Sequence, residues 1–228
     1  MRLRIATYNI HQCVGRDGIE DPRRIAAVLS EINADIVALQ EVTSSPETSD
    51  DVLAYLAAVS EMTPVEGFTL TSAGSRYGNA LLSNFPVSAV KRIDISVKGR
   101  EPRGVLQATL SINGQAVVLW ATHLGLGIRE RHIQIQKLLK IVDEAGSDIS
   151  ILLGDFNEWF SLGRPLRAIG QRFTTPRSPA TFPSHRPVLK LDRIWVRPMD
   201  RLTTVRAHST ELSRIASDHL PLVTSITI

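Results

Sequence analysis

Short aliphatic runs that stop on a polar side chain recur along the whole chain. Ile5-Ala6-Thr7-Tyr8 leads into Asn9, Ile36-Val37-Ala38-Leu39-Gln40 into Glu41, Val117 to Thr122 into His123, and Ile151-Leu152-Leu153 into Gly154-Asp155-Phe156-Asn157. Further on, Leu191 precedes Asp192, and Ser217-Asp218-His219-Leu220-Pro221 opens onto the run Val223 to Ile228. A β-branched and aliphatic run bounded by polar residues reads as a buried strand. A carboxylate at the end of such a strand needs a partner or a metal, because an unpaired buried charge is costly. In chain order the strand-end residues are Asn, Glu, His, Asp, Asn, Asp, Asp and His, and they read as one converging site.

Other stretches carry a helical period. Asp21-Pro22 opens a helix, since Asp caps well and Pro is tolerated at the first helical position, and Ile25, Val28, Leu29 and Ile32 follow on one face. Asp50 to Val59, the long amphipathic stretch Arg129 to Glu144, and Leu162 to Ile169 are the other predicted helices. Strands are predicted over 2–8, Ile36–Leu39, 149–153, Leu191–Val196, Leu202–Ala207 and Leu220–Ile228, with short strands from Phe68 to Thr122 and a loop over 171–190. Asn113-Gly114 is a strong hairpin signal between Val105–Ile112 and Gln115–Thr122. No linker or low-complexity stretch divides residues 1–228, so one domain is expected. Hairpins mixed with helices imply an α/β fold of two packed sheets with helices outside.

Composition changes this picture little. The net charge of +3 and pI of about 9.3 suit phosphate-bearing substrates but are far from a nucleic-acid-coating tail. Aromatic residues are only 5% of the chain, leaving few to stack on or wedge between bases, and no aromatic hairpin for entering a membrane interface stands out. The single cysteine, Cys13, excludes an internal disulfide and a cysteine-based metal cluster. With no signal-peptide core and no apolar stretch near the roughly 20 residues of a membrane span, a soluble, cytoplasmic monomer without stable membrane insertion is expected.

The chemistry on offer is carboxylates, amides and imidazoles. Glu41 is a hard oxygen donor suited to Mg²⁺; alone it would read as a solvated residue past a strand, but Asn9 and Asp218 have similar settings. Asn9 by itself would be a turn residue, and His11 is read as peripheral. Asp155 and Asn157 share a face if the segment stays extended; the carboxylate would then hold an attacking water and the amide a phosphate oxygen. The competing reading is a Gly-Asp turn. Asp218 and His219 are adjacent and so point to different partners, with Asp192 the candidate orienter of His219. His123 ends its own strand; His132, His185 and His208 carry no such context. The chain has no Gly-x-Ser-x-Gly elbow, P-loop, dinucleotide fingerprint or His-Glu-x-x-His motif. Oxygen-ligated metal with acids and imidazoles suits hydrolysis of a phosphate ester.

Taken in order, Thr7-Tyr8-Asn9, Leu39-Gln40-Glu41-Val42, Gly78-Asn79-Ala80-Leu81-Leu82-Ser83, Thr122-His123-Leu124, Gly154-Asp155-Phe156-Asn157, Leu191-Asp192-Arg193-Ile194 and Ser217-Asp218-His219-Leu220-Pro221 resemble the endonuclease/exonuclease/phosphatase superfamily from residue 5 to about 224. The resemblance implies a deoxyribonuclease-like four-layer α/β sandwich, two packed mixed β-sheets flanked by helices. It implies Mg²⁺ or Mn²⁺, with Glu41 as principal ligand and Asn9 and Asp218 close by. Asp155 would orient or deprotonate the attacking water, Asn157 would bind phosphate, and His219, held by Asp192, would stabilise the transition state. His123 is similar to the histidine held near the leaving group in the deoxyribonuclease, sphingomyelinase and 5-phosphatase branches. Asn79 matches the place of its usual glutamate partner and is counted with Arg103 among the expected substrate-phosphate contacts; an amide stabilises an imidazolium less well than a carboxylate. Glu101-Pro102-Arg103-Gly104 resembles the segment that brings an arginine to substrate phosphate, with Arg100 a competitor; Thr181 to Arg186 is a further loop expected to face substrate. The implied activity is metal-dependent phosphodiester hydrolysis by direct attack of water. The alternatives are a nuclease acting on DNA or RNA and an inactive phosphate-binding module, against which the complete acidic and imidazole set argues.

Overall fold

The computed structural model describes residues 1–228 apart from 46–50, 73, 146–148, 161–162, 174–177 and 202–203, and apart from the side chains of Arg164 and Met199. The expected starting residues of two helices, Asp50 and Leu162, and part of the expected strand Leu202–Ala207 therefore lie outside the described residues. The strands are β1 (Arg2–Asn9), β2 (Ile36–Ser44), β3 (Thr63–Ser72), β4 (Ser75–Ser83), β5 (Val87–Asp94), β6 (Gly104–Ile112), β7 (Gln115–His123), β8 (Ile149–Asp155), β9 (Asp192–Arg197), β10 (Arg206–Ala207) and β11 (Leu222–Thr227). The helices are α1 (Pro22–Ile32), α2 (Val52–Ser60), α3 (Ile128–Glu144), α4 (Arg164–Gly170) and the short α5 (Ser213–Ala216).

They form two mixed sheets, one of six strands in the order β10-β11-β1-β2-β4-β3 and one of five in the order β5-β6-β7-β8-β9. Apolar side chains alternate along the strands, so each sheet has two faces to cover. The facing sides, with Leu3, Ile5, Ala38, Leu81, Leu106, Leu119, Ile151 and Leu222, make the central core. The outer face of the six-stranded sheet packs Ala6, Tyr8, Val37 and Leu39 against Ile25, Leu29, Ile32, Leu53 and Leu56 of α1 and α2. The outer face of the other packs Trp120, Leu152 and Trp195 against Ile135, Leu138, Val142 and Leu166 of α3 and α4. This is the four-layer α/β sandwich that the sequence implies.

Each sheet holds one parallel pair, β1 with β2 and β7 with β8, and one helix crosses each pair: α1 the first and α3 the second. A parallel pair needs such a crossover, and ligands bind past the carboxyl ends of its strands. Asn9, Glu41, His123 and Asp155 all lie at or near those ends. Local chemistry fixes the elements as expected: the Asp21 side chain accepts from Arg23 N with Pro22 at the first helical position, and Asn113 and Gly114 take φ of 50° and 76° as a type I′ hairpin turn requires.

Three departures from expectation affect the site. β2 runs past Leu39 through Glu41 to Ser44 because it carries a bulge: Leu39 pairs with Ala80 and Val42 with Gly78, so Gln40 and Glu41 together face Asn79. β3 starts at Thr63 rather than Phe68, and α5, just before Ser217, was not signalled by hydrophobic period because it is only four residues long.

Candidate active site

Asn9 is the hub of the site. Its Nδ2 donates to Glu41 Oε1 at 3.0 Å and to Asp155 Oδ2 at 3.1 Å, which ties the six-stranded sheet to the five-stranded one. Its Oδ1 accepts from His11 N at 3.0 Å. Ser217 Oγ donates to the Asn9 carbonyl at 2.8 Å, and so fixes the segment that carries Asp218 and His219. The bulge aims Glu41: it holds φ at +57°, a conformation costly for a residue with a Cβ. Burial raises the Glu41 carboxyl above its ordinary range, Asp218 and Asp155 raise it further, and the Asn9 hydrogen bond and His11 oppose them. Three carboxylates thus act on one another at the mouth of the site, with Glu41 and Asp218 partly exposed and Asp155 buried.

His11 was expected to be peripheral, and the structure corrects this. His11, Gln12 and Cys13 all have positive φ, closed by hydrogen bonds from Cys13 N to Ile10 O and from Val14 N to His11 O. This left-handed turn swings the imidazole over the carboxylates, with Nδ1 3.1 Å from Val14 O and 4.0 Å from Asp218 Oδ1. A run of non-glycine residues in that region has no sequence signature, and so the turn was not foreseen.

On the facing sheet, Asp155 Oδ1 accepts from Asn157 N at 2.9 Å. Its Oδ2 lies 3.5 Å from His123 Nε2 and 3.7 Å from His219 Nε2. Asn157 reaches the site by a different route from the expected extended segment: its φ is +50°, and its Nδ2 donates to Leu124 O at 2.9 Å. Gly154 permits the close approach of β7 and β8, because a Cβ there would stand 1.9 Å from Thr122 O.

His219 Nδ1 and Asp192 Oδ2 are 2.8 Å apart, the expected pairing. Burial works against charge on this imidazole, but Asp192 and Asp155 outweigh it and push its pKa up to about 10. Thr181 Oγ1 donates to the same Asp192 oxygen, and the Phe182 ring lies 4.9 Å from the imidazole. Ser184 N donates to Asp218 O at 2.7 Å. The Thr181–Arg186 loop, expected to face substrate, thus supports the Asp192–His219–Asp218 group through Thr181, Phe182 and Ser184.

The second imidazole behaves oppositely. The expected contact between Asn79 and His123 is not formed. Asn79, opposite the bulge, donates from Nδ2 to Gly104 O at 3.3 Å, and its Oδ1 is buried with no hydrogen-bond partner among the described residues. Arg103 takes the place instead, with Nη1 3.1 Å from His123 Nδ1 and Nη2 3.2 Å from Glu101 Oε2. A guanidinium only donates, so Nδ1 must accept and the ring proton is assigned to Nε2, toward Asp155. Asn157 Nδ2 lies 3.1 Å from that Nε2 and gives one of its two hydrogens to Leu124 O. Burial, with the nearby positive charges of Arg103 and His219, pushes the His123 pKa down to about 3 against the pull of Asp155. The site therefore holds one cationic and one neutral imidazole on either side of a carboxylate. Tyr77, not foreseen, belongs here too: burial, Glu41 and Glu101 push its phenol up while a hydrogen bond with Arg103 opposes them. Its position two residues before Asn79 was the available signal. No structural role for Arg100 at the site emerges.

Two groups of side chains bear on metal binding. Asp155, Asp192 and His219 offer ligand atoms within 4.8 Å of one another; Asp192 Oδ2 accepts two hydrogen bonds, its Oδ1 is buried with no hydrogen-bond partner among the described residues, and the raised pKa of His219 favours the protonated ring, which is not a ligand. Glu41 and Asp218 are instead open carboxylates whose mutual repulsion a hard cation would relieve.

Comparison with known proteins bears on the family and the fold. A model of the endonuclease/exonuclease/phosphatase family matches residues 6–219. The chain is 31% identical over 247 residues to the protein named "Uncharacterized protein YbhP" of Escherichia coli strain K12, spanning 98% of this chain and 96% of that one, and equally to that of Shigella flexneri. A Beutenbergia cavernae endonuclease/exonuclease/phosphatase superposes with a TM-score of 0.81 at 24% identity, over all of this chain and 72% of that one. Danio rerio TDP2 complexed with single-strand DNA product superposes with a TM-score of 0.73 at 18% identity, over all of this chain and 99% of that one. At these identities the structural likeness speaks to the fold; the family match and the YbhP relatives carry the assignment, and the chain belongs to the endonuclease/exonuclease/phosphatase family, whose members hydrolyse phosphoester bonds.

Proposed function

We propose that the protein is a Mg²⁺- or Mn²⁺-dependent phosphodiesterase that works by direct in-line attack of water. The observation that carries this reading is the Asn9 amide bridging Glu41 and Asp155, which puts an open carboxylate cluster beside a buried carboxylate flanked by two imidazoles of opposite charge state. Glu41 and Asp218, with Asn9 close by, would hold the metal, which when bound supplies Lewis-acid neutralisation of phosphate oxygens. Asp155 orients the attacking water and takes its proton, with the Nε2 atoms of His123 and His219 on its Oδ2. Asn157 donates to a phosphate oxygen. Cationic His219, fixed by Asp192, stabilises charge developing on the phosphoryl group. His123, neutral with its proton on Nε2, acts as a hydrogen-bond donor rather than as an imidazolium acid. Arg103 holds that tautomer, and Tyr77 and Asn79 line the same wall. The test is a screen of phosphodiesters and phosphomonoesters with chelator and with Mg²⁺ or Mn²⁺ added back. Chelator should abolish turnover and Glu41→Ala should cut it by about 10³-fold or more. A chiral phosphorothioate diester should give inverted product; retention, or full activity in excess chelator, overturns the reading.

A further inference from the structure

Four large apolar side chains stand exposed on the two segments that leave the candidate site, three on loops and Ile128 at the first position of α3: Leu126 (75%), Ile128 (63%), Trp159 (61%) and Phe160 (62%). Leu126 comes three residues after His123, and Trp159 two after Asn157. The two loops are held as one unit. Arg131 donates from Nη1 to Leu126 O and from Nε to Glu158 Oε2 at 3.3 Å, and Glu158 Oε1 accepts from Phe160 N at 3.0 Å. Arg131 and Glu158 are both buried, so this ion pair fixes the apolar lip instead of adding surface charge. The other acid of these segments, Glu130, is also buried and accepts from Gly127 N and Gln134 Nε2. Segments 124–133 and 156–160 therefore present no exposed carboxylate, while Arg129 is exposed beside Ile128, as is Arg167 on α4.

Clustered exposed apolar residues beside a catalytic cleft mark an interaction surface. We infer that this lip docks on the surface of an anionic phospholipid bilayer and that the substrate is the phosphodiester of a lipid headgroup; the second part rests on the phosphodiesterase reading above. Leu126 and Ile128 have no π-face to stack on a base, so the aliphatic half of the lip fits acyl chains better than nucleic acid. Aromatic and aliphatic tips flanked by arginine, with the local acids internally neutralised, match the requirements of an interface that is apolar inside and negatively charged outside. No helix among the described residues is long and apolar enough to cross a membrane, so attachment through this lip would be peripheral.

The test is co-sedimentation of the full chain with phosphatidylcholine vesicles and with mixed phosphatidylcholine–phosphatidylglycerol vesicles, in chelator so that binding is read without turnover. Binding is expected to the mixed vesicles. The double variant Trp159→Ala/Phe160→Ala should weaken it at least ~10-fold and Arg129→Glu by about fivefold or more, each checked for intact fold by circular dichroism. Glu41→Ala should bind as the wild type does. On turnover, the double variant should lose hydrolysis of vesicle phospholipid and keep that of a soluble phosphodiester. Failure of the wild-type chain to bind either vesicle, with soluble phosphodiester still hydrolysed, overturns the membrane inference and leaves the phosphodiesterase reading standing. Single-stranded DNA binding or self-association that depends on Trp159 and Phe160, without vesicle binding, overturns it as well.

Discussion

Replacing Arg103 by methionine tests how the site sets the charge of His123. The guanidinium Nη1 is 3.1 Å from His123 Nδ1, and the arginine is buried. Two unit charges about 4 Å apart repel by about 4 kcal/mol at an effective dielectric of about 20. Both charges are spread over planar groups, which reduces this to about half; at about 1.4 kcal/mol per pH unit, removing the guanidinium should raise the His123 midpoint by about 1–2 pH units. Burial, the larger cause of the depression, is untouched, so the ring stays neutral at neutral pH in the variant. Methionine preserves much of the apolar stem, so the fold should survive. The assay is a ¹³C and ¹⁵N NMR titration of the histidine rings in metal-free protein. In the wild type His123 should remain the neutral Nε2–H tautomer down to a midpoint of about 3. The sign for stability follows: the unfolded chain takes this proton near pH 6.5 and the folded one near 3, so stability is lost as pH falls through that window. Arg103→Met should lose less of it. A wild-type His123 that titrates near its ordinary value, or a midpoint unmoved by the substitution, would refute the assignment of Arg103 as a group that adds to burial in lowering this midpoint.

The other predictions concern the remaining charges and the backbone. Glu41→Gln removes a carboxylate whose pKa is raised, and whose ionisation therefore lowers stability as pH rises past the ordinary carboxyl range; the metal-free variant should melt higher than metal-free wild type, while Mg²⁺ or Mn²⁺ should raise the melting temperature of the wild type only. A calorimetric scan showing equal metal stabilisation in both would remove Glu41 from the metal set. Asp192→Asn takes away the carboxylate bonded to His219, whose raised pKa gives a contribution to stability that is full below about 6.5 and lost as pH rises through about 10; kcat should fall and the alkaline limb of the pH–rate profile should move to lower pH, and an unmoved limb would make Asp192 structural only. Gly154→Ala places a Cβ 1.9 Å from Thr122 O at a φ of +140°, so urea unfolding should show a loss of about 3 kcal/mol or more, and wild-type stability would contradict the close approach of β7 and β8.

Much of the site was legible because strands are read by alternation and a polar residue ending an apolar run is conspicuous. Asn9, Glu41, His123, Asp155, Asp192, Asp218 and His219 were all marked in this way; the parallel pairs bring the first four to one mouth, and the antiparallel neighbours β9 and β11 bring Asp192 and the Asp218–His219 segment to it. The pairing of His219 with Asp192 also followed, since adjacent residues on an extended chain face different partners. What was not legible is which donor meets which acceptor. Asn79 and Arg103 both belong to strands or turns beside His123, and nothing in a one-dimensional pattern says that the amide goes to Gly104 O and the guanidinium to the ring. Exposure is equally hidden: nothing in the pattern separates Trp159 and Phe160, which the chain turns outward, from Phe156, which is fully buried.

The illegible parts share a physical cause. Non-glycine residues with positive φ fall into two groups here. Asn33 and Glu61 end helices and Asn113 sits in a hairpin turn, places where local signals foretell the conformation. His11, Gln12, Cys13, Glu41 and Asn157 instead surround the candidate site. Each costs about 1 kcal/mol or more and is tolerated only where the surroundings fix it. Those surroundings are long-range: Asn9 O and Ser217 Oγ, Gln40 O and Ile10 N, Asn157 Nδ2 and Leu124 O. Local preference at these positions disagrees with the fold, so a reading built on local preference fails there. The bulge turns Glu41 toward Asp155, the left-handed turn brings His11 over Asp218, and the αL conformation of Asn157 sets its amide against Leu124 beside His123. The places where the pattern misleads are thus the places where the backbone departs from regular strand geometry to aim a side chain, and the two packed sheets supply the rigidity that makes the departure possible.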